Sequence, residues 1–117
     1  MEKIVLQGML YDFYGELLTE HQKKIYEAVV YENLSLGEIA QKQGISRQGV
    51  HDIIKRCDAA LDGYEHKLGL MGRYEKIKAD INELQTYIDT YENDSGADKN
   101  MFCSNVRKYT ESINRQL

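Results

Sequence analysis

The stretch that decides the fold is residues 35–56, SLGEIAQKQGISRQGVHDIIKR. Ser35 and Glu38 have the S-x-x-E spacing of a capping box, which starts a helix. Gly44 predicts the end of that helix, because glycine readily adopts the left-handed backbone conformation found at helix ends. Ser46 is placed to cap a second helix. The stretch therefore predicts a helix-turn-helix motif.

The second helix of this motif carries a periodic apolar stripe. Its members recur at steps of three and four residues: Val50, Ile53, Ile54, Cys57 and Leu61. Such spacing predicts one buried helix face, and the opposite polar face is typical of a recognition helix in a nucleic-acid groove. With Lys42 from the preceding helix, the predicted nucleic-acid-binding residues are Lys42, Ser46, Arg47, Gln48, His51, Asp52, Lys55 and Arg56.

The charge pattern partly opposes and partly supports a nucleic-acid partner. The whole chain has a net charge of −4, from 15 basic and 19 acidic residues, which disfavours indiscriminate attraction to phosphate. Within residues 42–56 the net charge is positive instead. This segment contains one acid, Asp52, and four basic residues: Lys42, Arg47, Lys55 and Arg56. Asp52 would repel phosphate unless it accepts a hydrogen bond, for example from a cytosine amino group.

Composition predicts an all-α fold. The 117 residues contain no proline, and the sequence shows long helical periodicities with no convincing strand pattern. Glu2, Gln7, Asp12 and Glu16 interrupt the first apolar stretch, so we expect no targeting signal. No stretch is long and apolar enough to span a bilayer, and we expect a cytoplasmic protein.

The flanking sequence predicts two domains. An apolar first helix reaches about Leu18, and a second capping box, Thr19 with Gln22, opens a helix through about Glu32 that ends at Asn33. Gly69 and Gly72 are expected to loosen the helix that leaves the motif. We therefore predict a helix-turn-helix domain with its N-terminal helix at residues 1–68, and a C-terminal helical hairpin at residues 69–117.

The C-terminal half has the spacing of a helical hairpin. A heptad seam comprises Leu70, Tyr74, Ile77, Ile81, Leu84, Ile88 and Tyr91; after a predicted turn at residues 93–98, a second stripe comprises Phe102, Val106, Tyr109, Ile113 and Leu117. These two helices either bury each other's apolar stripes within one chain or also join two chains. We predict a homodimer built mainly after Leu70, with Tyr11, Tyr14, Tyr87 and Tyr91 as candidate interface residues.

No pattern of residues predicts catalysis or a metal site. Cys57 and Cys103 are far apart in sequence and are both expected to be buried free thiols. His21, His51 and His66 lack the spacing of zinc ligands. Phosphate-loop, G-x-S-x-G and H-E-x-x-H motifs do not occur, so we expect no enzyme activity and no cofactor.

Several motifs occur together in a way that resembles a known family. LYDFYGELLTEHQKKIYE is followed by ENLSLGEIAQKQGISRQGVHDIIKRCDAALDGYEHKLGL. Over residues 4–70 this closely resembles the YlxM-type family of small bacterial proteins, whose helix-turn-helix looks like region 4 of sigma factors. The resemblance implies a DNA-binding regulatory protein associated with the signal recognition particle pathway. Gly49 and His51 depart from the alanine and tyrosine more usual in the family, and Gly49 costs the helix roughly 1 kcal/mol relative to alanine.

Three functions remain open from the sequence. A DNA-binding regulator would use Arg47 and Gln48 on base edges and Lys42, Lys55 and Arg56 on phosphates. An RNA-binding accessory of the signal recognition particle would use the same basic patch on loops or backbone, because the A-form major groove is too narrow for a helix. A protein-interaction module would instead use the heptad seam and the tyrosine-rich first helix.

Overall fold

The protein is all-α. A computed structural model describes residues 2–94 and 96–117; Met1, in the predicted first helix, and Ser95, in the predicted turn, lie outside them. The described residues form six helices and no strand: α1 (Lys3–Tyr14), α2 (Glu20–Val30), α3 (Leu36–Gln43), α4 (Arg47–Leu68), α5 (Leu70–Glu92) and α6 (Lys99–Gln116). They make two compact units, one ending at Met71 and the other covering Gly72–Leu117.

The core of the first unit forms around α4. One face of this 22-residue helix packs against α1, α2 and α3, because its apolar stripe is long enough to meet all three. Fully buried side chains come from each of these helices: Tyr14, Ile25, Tyr26, Ile39, Val50, Cys57 and Leu61. The same packing that forms the core therefore fixes which face of α4 is left to solvent.

The first helix ends earlier than its apolar pattern suggested. α1 stops at Tyr14 and a single 3₁₀ turn, Gly15–Leu17, carries the chain to α2. A Cβ atom at Gly15 would lie only 2.8 Å from the ring of Tyr11, so glycine permits this ring to pack at the helix end. Leu10 and Leu18 are buried, whereas Leu17 is exposed.

The prediction that Tyr11 and Tyr14 belong to an interface is wrong. Tyr11 is 8% exposed and Tyr14 is 1% exposed, and both rings lie in the core of the first unit. Their hydroxyls donate hydrogen bonds to Glu27 and Glu65, respectively, each at 2.5 Å. A tyrosine can be placed in a core in this way when its polar end reaches an acceptor at the edge.

The second helix begins as predicted and ends slightly sooner. Thr19 accepts a hydrogen bond from the Gln22 N–H, and the Gln22 side chain accepts one from the Thr19 N–H, which completes the capping box. α2 ends at Val30 rather than near Glu32. Asn33, three residues after the end of α2, has a positive φ of 55°, a left-handed conformation that asparagine adopts more readily than most residues.

One of the two glycines predicted to loosen the chain ends a helix, and the other does not. Gly69 follows α4 with φ of 64° and ψ of 26°, and its N–H donates to the Glu65 carbonyl. Gly72 lies inside α5. The first two residues of α5 still belong to the first unit: Leu70 N–H donates to the Tyr14 hydroxyl and Met71 N–H donates to Glu65, both at 3.0 Å.

The second unit is a hairpin of α6 and the part of α5 that follows Met71. Phe102 stacks on Tyr91, with ring centroids 3.8 Å apart, and on Tyr87 at 5.5 Å. The Ser112 hydroxyl donates to Asp80 at 2.7 Å and Asn105 donates to the Tyr87 hydroxyl at the same distance. No residue of α5 or α6, both fully described, is buried. The hairpin therefore leaves much of its apolar surface in contact with water.

The two cysteines differ in their exposure to solvent. Cys57 is buried, as expected, but Cys103 is exposed, because it lies on a face of α6 that the hairpin does not cover.

Across residues 2–94 and 96–117, none of the helices is long and apolar enough to cross a membrane.

Candidate nucleic-acid interface

The turn between α3 and α4 is built from the residues that the sequence singled out. Ser35 and Glu38 form the reciprocal capping box at the start of α3. Gly44 adopts φ of 67° and ψ of 32°, and the N–H groups of Gly44 and Ile45 both donate to the Ala40 carbonyl. Ile45 packs against the core. These contacts set the path from α3 into α4 and confirm the helix-turn-helix.

The start of α4 is capped by Ser46. Its side-chain oxygen accepts a hydrogen bond from the Gly49 N–H at 2.9 Å. A Cβ atom at Gly49 would lie 3.1 Å from that oxygen, a tight contact. Glycine therefore lets the cap approach closely, which offsets part of the cost it imposes on the first turn.

The buried stripe of α4 orients the predicted interface. Val50, Cys57 and Leu61 are fully buried and Ile54 is 8% exposed, whereas Ile53 is only partly buried. Because a helix turns once in 3.6 residues, burial of this stripe directs the intervening polar positions to solvent. The exposed predicted residues are Lys42, Ser46, Arg47, Gln48, Asp52, Lys55 and Arg56, and His51 is half-buried.

Three of these side chains interact with one another. Gln48 donates a side-chain N–H to the Asp52 carboxylate at 3.0 Å, one helical turn away. His51 Nδ1 lies 3.8 Å from the same Asp52 oxygen, and this nitrogen is shielded from water without a hydrogen-bond partner of its own. Asp52 thus has a neighbour within the helix. A Gln48 amide held in this way keeps one N–H and its carbonyl oxygen for another partner.

Residues that hold α4 in place were not identified from the sequence. The Asp58 carboxylate accepts hydrogen bonds from Gln7 at 3.0 and 3.2 Å and from the Tyr26 hydroxyl at 2.6 Å. These hydrogen bonds link α4 to α1 and to α2. An acid in a charged, helical segment gives no sequence signal for such a role, because its partners lie 51 and 32 residues away.

A metal site is not part of this surface. Among the described residues, no group of three or more His, Cys, Asp or Glu side chains could hold a metal ion. The chemistry that the exposed face offers is hydrogen bonding and charge.

Comparison with known proteins adds the family. A family model described as "Putative helix-turn-helix protein, YlxM / p13 like", UPF0122, matches residues 1–100. The chain belongs to the UPF0122 family. The match covers the first unit and all of α5, and it stops at the second residue of α6. It extends the resemblance over residues 4–70 into the hairpin.

Individual UPF0122 relatives are similar over most of their length. The UPF0122 protein of Symbiobacterium thermophilum is 42% identical over 89 residues, covering 76% of this chain and 83% of the relative. That of Geobacillus sp. WCH70 is 42% identical over 103 residues, with coverages of 87% and 90%. That of Caldanaerobacter subterraneus subsp. tengcongensis is 44% identical over 87 residues, with 74% of each chain covered.

Proposed function

We propose that this UPF0122 protein is a non-enzymatic DNA-binding regulator that acts in the cytoplasm and reads DNA with the exposed face of α4. The observation that carries the proposal is the placement of Arg47, Lys55 and Arg56 on the solvent side of a capped helix whose other face is buried. A helix held in this way fits the major groove of B-form DNA. The family description, a helix-turn-helix protein, supports the same class of function.

The exposed residues divide by the part of DNA that they would contact. Lys42, Lys55 and Arg56 are exposed basic side chains and suit phosphates. Arg47 and Gln48 lie in the first turn of α4, the part of a recognition helix that meets base edges. Ser46 caps α4, and its exposed position also suits a phosphate contact.

The hydrogen bond between Gln48 and Asp52 suggests the base that is read. With one amide N–H donated to Asp52, Gln48 retains the N–H and C=O pair that binds N7 and N6 of adenine. Asp52 is then a positioning residue that fixes the Gln48 side chain, and His51 packs beside it. The negative charge of Asp52 weakens the attraction of this surface to any nearby phosphate, which favours selective over indiscriminate binding.

The test is a salt-titrated binding assay with duplex DNA. Replacing Arg47, Lys55 and Arg56 together with alanine should weaken binding at low salt. The slope of log affinity against log salt should also flatten by roughly 0.9 for each phosphate that the variant no longer neutralises. The matched control replaces Lys76, Lys99 and Lys108, which are exposed basic residues of the second unit. Equal binding by the parent and the first triple variant would refute the interface on α4.

A second candidate function is an RNA-binding or protein-interaction accessory of the signal recognition particle. The net charge of −4 and the exposed apolar side chains of α5 favour it, since neither feature serves attraction to DNA. The same salt titration, repeated with the particle's RNA and with its protein component, separates the classes. Binding to the protein component that is unaffected by the α4 variants, with no retention of duplex DNA, would select this second function.

The proposed regulator acts as a homodimer. Two copies would bring two recognition helices to a two-fold symmetric site, the arrangement by which many helix-turn-helix proteins read palindromic DNA. The exposed apolar surface of α5 and α6 supports an interface after Leu70. Sedimentation of the full chain at micromolar concentration tests it, and a monomer would refute the dimer while leaving binding to a single site open to measurement.

A further inference from the structure

The hairpin covers only one side of α5. Tyr87, Tyr91 and Asp80 contact α6 through ring stacking and a hydrogen bond. Tyr74 and Ile81 remain 48% and 41% exposed, respectively. They are seven residues apart, so they lie on one face, about two helical turns from each other. Large apolar side chains on a helix surface of this kind favour burial against a partner.

The exposed apolar face has a polar edge with a regular spacing. Lys78, Gln85 and Glu92 occupy every seventh position, and all three are exposed. Lys78 follows Tyr74 by four residues and Gln85 follows Ile81 by four, which makes them neighbours on the helix surface. Lys78 and Glu92 are equally distant from Gln85. The edge is therefore complementary to a copy of itself that runs in the opposite direction.

The charges of α5 as a whole show the same polarity. Its first nine residues contain Arg73, Lys76 and Lys78 with one acid, Glu75; the rest of the helix contains Asp80, Glu83, Asp89 and Glu92 and no basic residue. The helix macrodipole favours the reverse order, with acids near the N-terminus and bases near the C-terminus. The order found here therefore does not stabilise α5 on its own.

The other helix of the hairpin does not compensate this polarity. The contact between Ser112 and Asp80 places the C-terminal half of α6 beside the N-terminal half of α5. That half of α6 carries Lys108 and Arg115 against one acid, Glu111. The basic end of α5 thus lies beside a part of α6 that is also net positive.

We propose that α5 is the dimer interface and that two copies pack it antiparallel, through the face that carries Lys78, Ile81 and Gln85. Each Lys78 then lies opposite Glu92 of the second copy, with the two Gln85 side chains at the centre. Antiparallel packing also aligns the two macrodipoles favourably. This inference rests on the proposed homodimer and specifies its geometry.

Charge exchange tests the geometry. Lys78→Glu and Glu92→Lys should each weaken self-association roughly tenfold at low salt, because two attractive pairs become repulsive. An equimolar mixture of the two variants, and the double variant in one chain, should both associate like the parent. Lys76→Glu and Glu83→Lys make the same charge changes on the far side of α5 and should have little effect. Sedimentation equilibrium at two salt concentrations measures all of these, and the differences should shrink at high salt.

Cross-linking provides an independent readout of direction. In a Cys103→Ser background, Lys78→Cys mixed with Glu92→Cys should form a disulfide-linked dimer on mild oxidation, and neither variant alone should. Cross-linking of Lys78→Cys with itself would indicate parallel helices and overturn the proposal. A dimeric parent whose charge variants all behave alike would refute this arrangement but not the dimer, whereas a monomeric parent would refute both.

Discussion

Removal of one hydroxyl group should substantially destabilise the first unit. The Tyr14 side chain is 1% exposed, and its hydroxyl donates to Glu65 at 2.5 Å while it accepts from the Leu70 N–H at 3.0 Å. Tyr14→Phe removes both bonds and keeps the ring. A hydrogen bond to a charged group contributes about 1.5–3 kcal/mol, and the N–H left without an acceptor adds to the loss. We expect the free energy of unfolding to fall by about 2–3 kcal/mol.

Urea denaturation followed by circular dichroism measures this loss. The matched control is Tyr31→Phe. The Tyr31 hydroxyl also donates to a carboxylate, that of Asp12, but Tyr31 is 56% exposed. Its expected effect is below about 0.5 kcal/mol. A double-mutant cycle with Glu65→Gln should show coupling between Tyr14 and Glu65. If Tyr14→Phe cost no more than Tyr31→Phe, the hydroxyl would not be holding the start of α5.

Four further outcomes follow from the structure. Gly44→Val should destabilise the protein by about 1–2 kcal/mol in urea, because valine is strained at a φ of 67° although a Cβ atom there would meet no other atom within 4 Å. Cys57→Ser should cost about 1–3 kcal/mol in the same assay, since it places a hydroxyl on the buried stripe of α4. Asp52→Asn should raise affinity for arbitrary duplex DNA, and Asp52→Ala should also reduce discrimination among sequences, as competition binding would show. Burial raises the pKa of Cys57 to about 11 and also raises the pKa values of Tyr11 and Tyr26. At these groups the folded state keeps protons that the unfolded chain releases, so their contribution to the free energy of unfolding should be constant below about pH 8 and should be lost as the pH rises through about 9 to 11. Equal stability at about pH 7 and about pH 10.5 would contradict this last expectation.

Local patterns in the sequence determined the helix-turn-helix. Ser35 with Glu38, Gly44 and Ser46 each act within a few residues, so their spacing was sufficient to predict the caps and the turn. The stripe from Val50 to Leu61 likewise predicted the buried face of α4, because helical periodicity relates neighbouring positions directly. The DNA-facing residues remain a prediction, and the structure adds that seven of the eight are exposed.

Interactions between distant residues were decided only by the tertiary structure. Apolar spacing could not distinguish a tyrosine in the core from one at an interface, since the difference depends on whether a distant acid accepts its hydroxyl; Tyr14 and Glu65 are 51 residues apart. The cluster of Asp58, Gln7 and Tyr26 has the same origin. Cys103 is exposed because α6 packs along one side only, and a heptad pattern does not say how much of its face one partner helix covers. The sequence by itself therefore determined the elements with short-range causes, whereas burial and buried polar pairing depended on which helices met.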